Sequence, residues 1–183
     1  PGMESHKKMI PSFPSIVPEY FNYDQKLREA AVLIVLEVTD ESINTVLIER
    51  VPDAGPHSGQ IAFPGGKLDE KDKNLIQTAL RESHEEIGLS TDESQLIGAL
   101  SPVYIPISNF NVQPFLFLHF NSLALLAEDR EVAEILTAPL AEIIEDKNIH
   151  KKEITLMDTN ESIEVTGFLL HENWVWGASA LIL

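Results

Sequence analysis

A chain of 183 residues with 44% hydrophobic content is long enough for one domain with its own core. Its formal charge of -16, from 29 acidic against 13 basic residues, mainly serves solubility and repels polyanions, disfavouring nucleic acid and anionic membrane as partners while leaving a small, cation-screened phosphorylated ligand open. With no cysteine there are no disulfides, thiolate metal sites or cysteine nucleophiles, and with no segment near the ~20 apolar residues that span a bilayer the chain reads as soluble and cytoplasmic.

Pro1 and Gly2 ahead of Met3 read as a cloning remnant and are set aside. Residues 1–28 carry Pro11, Pro14 and Pro18 and are expected to form an N-terminal extended arm, with one domain over 29–183. Ala30 to Val38 is an apolar, partly β-branched run that suits a strand covered on both faces. A polar turn at Asp40-Glu41-Ser42 leads to a second strand, Asn44 to Arg50. Leu75 to Ile87 is expected to be a helix ending at Gly88, with Asp72 or Asn74 capping its start. Leu96 to Ile105 and Val112 to Phe120 read as strands joined by a turn containing Pro106 and Asn109. Val132 to Ala138 and Ile163 to Leu170 add shorter strands, a helix follows Pro139 to about Glu145, and another begins near Gly177. Leu183 falls only a few residues into that last helix, which leaves room for a truncated or disordered tail. Strands interspersed with helices, some in hairpin-like pairs, give an α/β class with a mixed sheet between helices.

The chemistry concentrates on the Leu75–Ile87 helix. At about 100° per residue, Glu82, Glu85 and Glu86 share one sector, while Ile76, Leu80, Ser83 and Ile87 cluster on another side. Crowded like charges cost a few tenths of a kcal/mol per pair. A hard divalent cation, Mg²⁺ or Mn²⁺, would turn that repulsion into coordination and would polarise phosphoryl oxygens. Arg81, four residues before Glu85, is placed to hold that carboxylate. An acidic helix taken alone is usually a solvated face. Here it follows Phe63-Pro64-Gly65-Gly66, where adjacent glycines permit close approach of backbone to a ligand.

Together, the glycines, Arg81-Glu82 and Glu85-Glu86-Ile87-Gly88-Leu89 resemble the Nudix box, G-x5-E-x7-R-E-U-x-E-E-x-G-U with U apolar. The segment from Gly66 to Arg81 is one residue longer than in the box. The box glutamate corresponds to Asp72, with Glu70 an alternative and a plain N-cap an equal reading of Asp72, and Ser83 replaces an apolar residue. The resemblance implies an α/β/α sandwich with a mixed sheet, Mg²⁺ or Mn²⁺ on Glu82, Glu85 and Glu86, and Arg81 orienting the glutamates. It also implies a small nucleotide substrate and a homodimer as the expected assembly.

Upstream, Val46-Leu47-Ile48-Glu49-Arg50 and Gly59-Gln60-Ile61-Ala62-Phe63-Pro64-Gly65-Gly66 resemble the coenzyme A pyrophosphatase branch, L-L-T-x-R-S-x3-R-x3-G-x3-F-P-G-G. Arg50, Gly59 and Phe63 to Gly66 fall in register, whereas Gly55 stands where the second arginine is found. Pro114-Phe115, Glu131-Val132-Ala133-Glu134 and Trp176-Gly177-Ala178-Ser179-Ala180 follow in the same order as in that branch. The resemblance implies cleavage of coenzyme A or acyl-CoA to 3′,5′-ADP and 4′-phosphopantetheine. ADP-ribose, NADH or another nucleoside diphosphate derivative is the alternative substrate, and a non-catalytic nucleotide sensor the rival from another class. Catalysis is expected from Arg81, Glu85 and Glu131, with Glu134 second to Glu131 as base. Arg50, His57, Gly65 and Gly66 are expected to contact substrate, with His84 a weaker candidate. Phe110 and Trp176 are read as core residues before adenine-stacking ones.

Overall fold

A computed structural model describes residues 26–52, 57–90, 94–155 and 162–183. The proline-bearing arm before Lys26 and Gly55 lie outside the described residues. Strand β1 (Arg28–Val38) runs through the middle of the main sheet, parallel to β7 (Phe110–Phe120) over its whole length, from Arg28 beside Phe110 to Val38 beside Phe120. Its other edge is divided. Leu36 to Val38 pair antiparallel with β2 (Ile43–Arg50), whereas Ala30 to Val32 pair with β4 (Gly65–Lys67). Strand β2 therefore peels away from β1 halfway along. The glycine loop fills the opening, with the Leu33 amide donating to the Pro64 carbonyl at 2.8 Å.

The main sheet is completed by β3 (Ile61–Ala62) and β8 (Val132–Pro139) on β2, and by β5 (Ser94–Ala99) and β6 (Val103–Ile105) on β7. The single strand expected over Leu96 to Ile105 is two strands. Leu100-Ser101-Pro102 interrupts it, and a proline that cannot donate is a physical reason for the break. Pro106 to Ser108 then form a 3₁₀ turn closed by Asn109 at φ 52°.

The double-sided apolar pattern of β1 is used on both faces. Ala31, Leu33 and Val35 face helix α1 (Leu75–Ile87), where Ala79 and Ile87 complete a buried cluster with Val46, Ile48 and Phe117. Ile34 points the other way and packs with Leu47, Phe63, Phe168, Leu170 and Val175. Each such side chain contributes about 1.5–3 kcal/mol by leaving water, and Leu33→Ala would cost about 2–5 kcal/mol.

The α/β class with a mixed sheet is present, and of the expected α/β/α sandwich the second outer layer is only partly helical. It combines a separate antiparallel sheet of β9 (Ile149–Thr155), β10 (Ser162–Leu170) and β11 (Asn173–Trp176) with the short helices α2 (Leu140–Ile143) and α3 (Ala178–Ile182). Helix α2 ends at Ile143, two residues before the expected limit, with Ile144 as its C-cap. Among the described residues no helix is long and apolar enough to cross a membrane.

Candidate active site

Helix α1 starts where the Asn74 side chain accepts from the Gln77 amide at 3.0 Å, and it ends at Gly88 in the left-handed conformation. Asn74 is therefore the cap. Asp72 has a different task, because a carboxylate two residues upstream is already committed to Arg81. The guanidinium forks onto it, with Nε 2.9 Å from Oδ1 and Nη2 2.8 Å from Oδ2. Thr78 Oγ1 and the Asp69 amide also donate to Oδ2, at 3.0 and 3.1 Å. The Arg81 guanidinium holds the Asp72 carboxyl well below the usual carboxylate range, and Asp72 in turn holds Arg81 more firmly protonated.

With one edge of the fork anchored, Nη1 of Arg81 projects to Glu82 at 2.8 Å and to Glu85 at 2.9 Å. Arg81 thus fixes two of the three box glutamates. Glu85 is half exposed and also lies 3.8 Å from Lys71. Glu82 is less exposed, and burial raises its pKa against the opposing pull of Arg81, with the charges of Glu85 and Glu131 adding to the rise.

Glu86 departs from the expectation of a shared outward carboxylate face: it is only 1% exposed and sits on the packed side of α1 with Ala79, Ser83 and Ile87. The helical spacing leaves it there because β2 has peeled away and the glycine loop fills the gap. The Gly65 amide donates to Glu86 Oε2 at 2.8 Å, and Arg50 Nη1 lies 3.5 Å from Oε1. Burial pushes the Glu86 carboxyl up to about 7, opposed by Gly65 and Arg50 and assisted by the charges of Glu82 and Glu131.

The two glycines are constrained differently, Gly65 by backbone and Gly66 by the end of a side chain. Gly65 has φ 148°, and a Cβ there would lie 2.3 Å from the Ala31 carbonyl oxygen. At Gly66 a Cβ would lie 2.5 Å from Glu82 Cδ. The loop is thus a cradle for the carboxylates of Glu82 and Glu86.

Glu131 reaches the same place from another element. The Glu128 amide donates to the Glu86 carbonyl at 2.8 Å, the Glu131 amide to the Glu128 carbonyl at 2.9 Å, and the Val51 amide to the Glu131 carbonyl at 3.1 Å. These bonds dock the Glu131 segment on the end of α1 and beside Arg50, and its exposed carboxylate adds to the negative field at Glu82 and Glu86. Glu134 lies further along β8 opposite Glu49. His57 joins Gln60 at 3.2 Å and Ser108 at 3.3 Å, bridging the loop before β3 to the 3₁₀ turn. His84 is exposed with Nδ1 3.2 Å from the Leu89 carbonyl. Phe110 carries the Arg28 guanidinium on its ring at 3.9 Å, and Trp176 is half-buried at the β10–β11 pairing.

Among the described residues no three acidic or imidazole side chains are already drawn into one coordination shell. The donor chemistry nevertheless fits a hard cation: Glu82 and Glu86 are partly or wholly buried carboxylates whose pKa values are raised, Glu82 adds to the rise at Glu86, and Glu131 adds to both. A chain of charge -16 leaves a small phosphorylated ligand open where a cation screens it.

A peeled-open mixed sheet, a glycine loop in the opening and a glutamate-bearing helix held against it define an oxygen-ligand site for phosphorylated substrates. A sequence model of the NUDIX domain matches residues 27–157, so the chain belongs to the Nudix family. It is a pyrophosphohydrolase of nucleoside diphosphate-linked substrates, and enzymes of this family work with divalent metal ions. It is 32% identical over 185 residues to the uncharacterized Nudix hydrolase NudL of Enterobacter sp. (strain 638), covering 99% of this chain and 94% of that one. The fold is similar to a C. elegans Ap4A hydrolase binary complex, with a TM-score of 0.51, 17% identity, and 59% of this chain and 77% of that chain covered. It is equally similar to the Nudix domain of Shewanella oneidensis NrtR complexed with ADP ribose, with a TM-score of 0.51, 21% identity, and coverage of 70% and 86%.

Two features were not anticipated from the sequence. Asp72 is the anchor of Arg81, and its signal was its place at the box glutamate. Ser179, noted only as part of Trp176 to Ala180, bonds to the chain ahead of the glycine loop at 2.9 Å.

Proposed function

We propose that this protein hydrolyses coenzyme A or an acyl-CoA to 3′,5′-ADP and 4′-phosphopantetheine, with Mg²⁺ or Mn²⁺ held by Glu82, Glu85 and Glu86. The observation that carries the site reading is the pairing of Gly65 and Gly66 with the buried Glu86 and half-buried Glu82 carboxylates. When bound, the cation supplies charge neutralisation on the diphosphate and acidifies water. Arg81, anchored on Asp72, keeps Glu82 and Glu85 aimed, so little reorganisation is needed as charge develops. Glu131 accepts a proton from the attacking water as its oxygen bonds to phosphorus and the bridging P–O bond breaks. Arg50 contacts the departing phosphate from the loop side, with its charge shared with Glu86. His57 and the backbone of Gly65 and Gly66 border the same substrate. The assembly we expect is a homodimer in the cytoplasm.

Coenzyme A is favoured by Arg50, Gly59 and Phe63 to Gly66 standing in the register of that branch. Gly55 in place of the second arginine favours the alternative, ADP-ribose, NADH or a dinucleoside polyphosphate. Comparing kcat/KM for coenzyme A, ADP-ribose, NADH and diadenosine tetraphosphate, each with Mg²⁺, separates the two. Coenzyme A is expected to be the best substrate, and a preference for any of the others overturns the choice.

A further inference from the structure

We infer that Ser179 is a positioning residue of the reactive site, holding the chain that delivers the Gly65 amide to Glu86. The inference rests on the reading of Glu86 as a functional carboxylate. Ser179 lies in the short helix α3, far from the glutamate helix in sequence, yet it is 7% exposed and its Oγ donates to the Ile61 carbonyl at 2.9 Å.

That carbonyl has no partner within its own pair of strands, for a geometric reason. Arg50 donates its amide to the Gln60 carbonyl at 3.1 Å, which makes Arg50 and Gln60 a hydrogen-bonded antiparallel pair. The alternation then turns the polar groups of the next residue, Ile61, away from β2 and towards the open edge of β3. Ile61 is buried, so water cannot readily serve its carbonyl. The Ser179 hydroxyl does. Four residues after Ile61, the Gly65 amide meets Glu86 at 2.8 Å, with only Ala62, Phe63 and Pro64 between. Phe63 is 2% exposed and packs in the same cluster as Ala180, so α3 grips this segment by packing as well as by the hydroxyl. The far end of the segment is secured by Leu33 on Pro64. Ser179 secures the near end.

The test compares Ser179→Ala with Val165→Ala, a buried change in β10 remote from the loop. Without added metal, amide hydrogen exchange at Gly65 reads the position of the loop directly. Faster exchange at Gly65 in S179A, and not in V165A once both are matched for global stability, is the expected result. With Mn²⁺ as probe, the apparent Kd is expected to weaken about tenfold in S179A, the scale of one lost hydrogen bond. Should S179A fail to fold, S179C replaces it, because a thiol is a weaker donor of similar shape. Unchanged Gly65 exchange, or effects no larger than those of V165A, overturns the inference. Wild-type protein that binds no Mn²⁺ while Gly65 still responds to S179A refutes the functional reading and leaves the mechanical link standing.

Discussion

Replacing Asp72 with Asn removes the charge from a side chain that is 4% exposed and receives the Nε and Nη2 donors of Arg81 together with Thr78 and the Asp69 amide. An amide nitrogen would face at least one donor where an oxygen now accepts. Breaking a buried ion pair costs about 3–5 kcal/mol, but Arg81 keeps Glu82, Glu85 and the Lys67 carbonyl, so a loss of about 2–3 kcal/mol is expected. For a chain of this length that corresponds to a fall in Tm of roughly 5–10 °C. The Asp72 pKa is depressed in the folded state, so its contribution is complete above the unfolded value of 3.8 and is lost only as pH falls below it. Urea unfolding of wild type and D72N should therefore show the same gap at pH 5.5 and pH 8. Activity should fall more steeply than stability, because Arg81, still paired with Glu82 and Glu85, loses the anchor that fixes where it holds them. A stability difference below about 0.5 kcal/mol, the range of an ordinary surface change, would refute the view that Asp72 anchors the site.

Glu86 has the opposite pH signature. Its folded pKa of about 7 lies above the unfolded 4.5, so metal-free protein should lose about 3 kcal/mol as pH rises from 4.5 through 7, and Glu86→Gln should flatten that loss in urea titrations with chelator. Gly65→Ala meets the Ala31 backbone and should cost several kcal/mol or abolish folding. Gly66→Ala meets only the end of Glu82, which can swing aside, and thermal denaturation should show a folded protein with at least tenfold lower kcat. Glu85→Gln should fold normally, since Glu85 is half exposed, and lose activity by about two orders of magnitude; full retention in a steady-state assay contradicts its assignment to the metal.

Periodicity exposed the parts of the fold whose residues face one environment consistently. Strand β1 is apolar on both faces because helix α1 covers one and the second sheet the other, and α1 has a side-chain cap and a glycine end. Strand β9 was missed because Ile149 to Thr155 is an edge strand whose His150, Lys151, Lys152 and Glu153 are all exposed, so it carries little apolar alternation. Strands β3 and β4 are too short to show a period. At the site, residue types and spacing singled out the glutamates, Arg81 and the glycines as candidates, and these lie together on one helix and one loop. The burial of Glu86 depends on β2 leaving β1, a long-range event that local spacing does not encode. The Ser179 contact spans 118 residues of sequence and had no local signature.

The most direct test of the central claim is a Mn²⁺ titration of wild type and of an E82Q/E86Q double variant, followed by electron paramagnetic resonance of the free ion. Wild type should bind Mn²⁺ saturably, and the double variant, having lost both carboxylates cradled by Gly65 and Gly66, should bind at least tenfold more weakly. Equal binding by the two proteins would contradict the assignment of this helix and loop as the metal-dependent reactive centre.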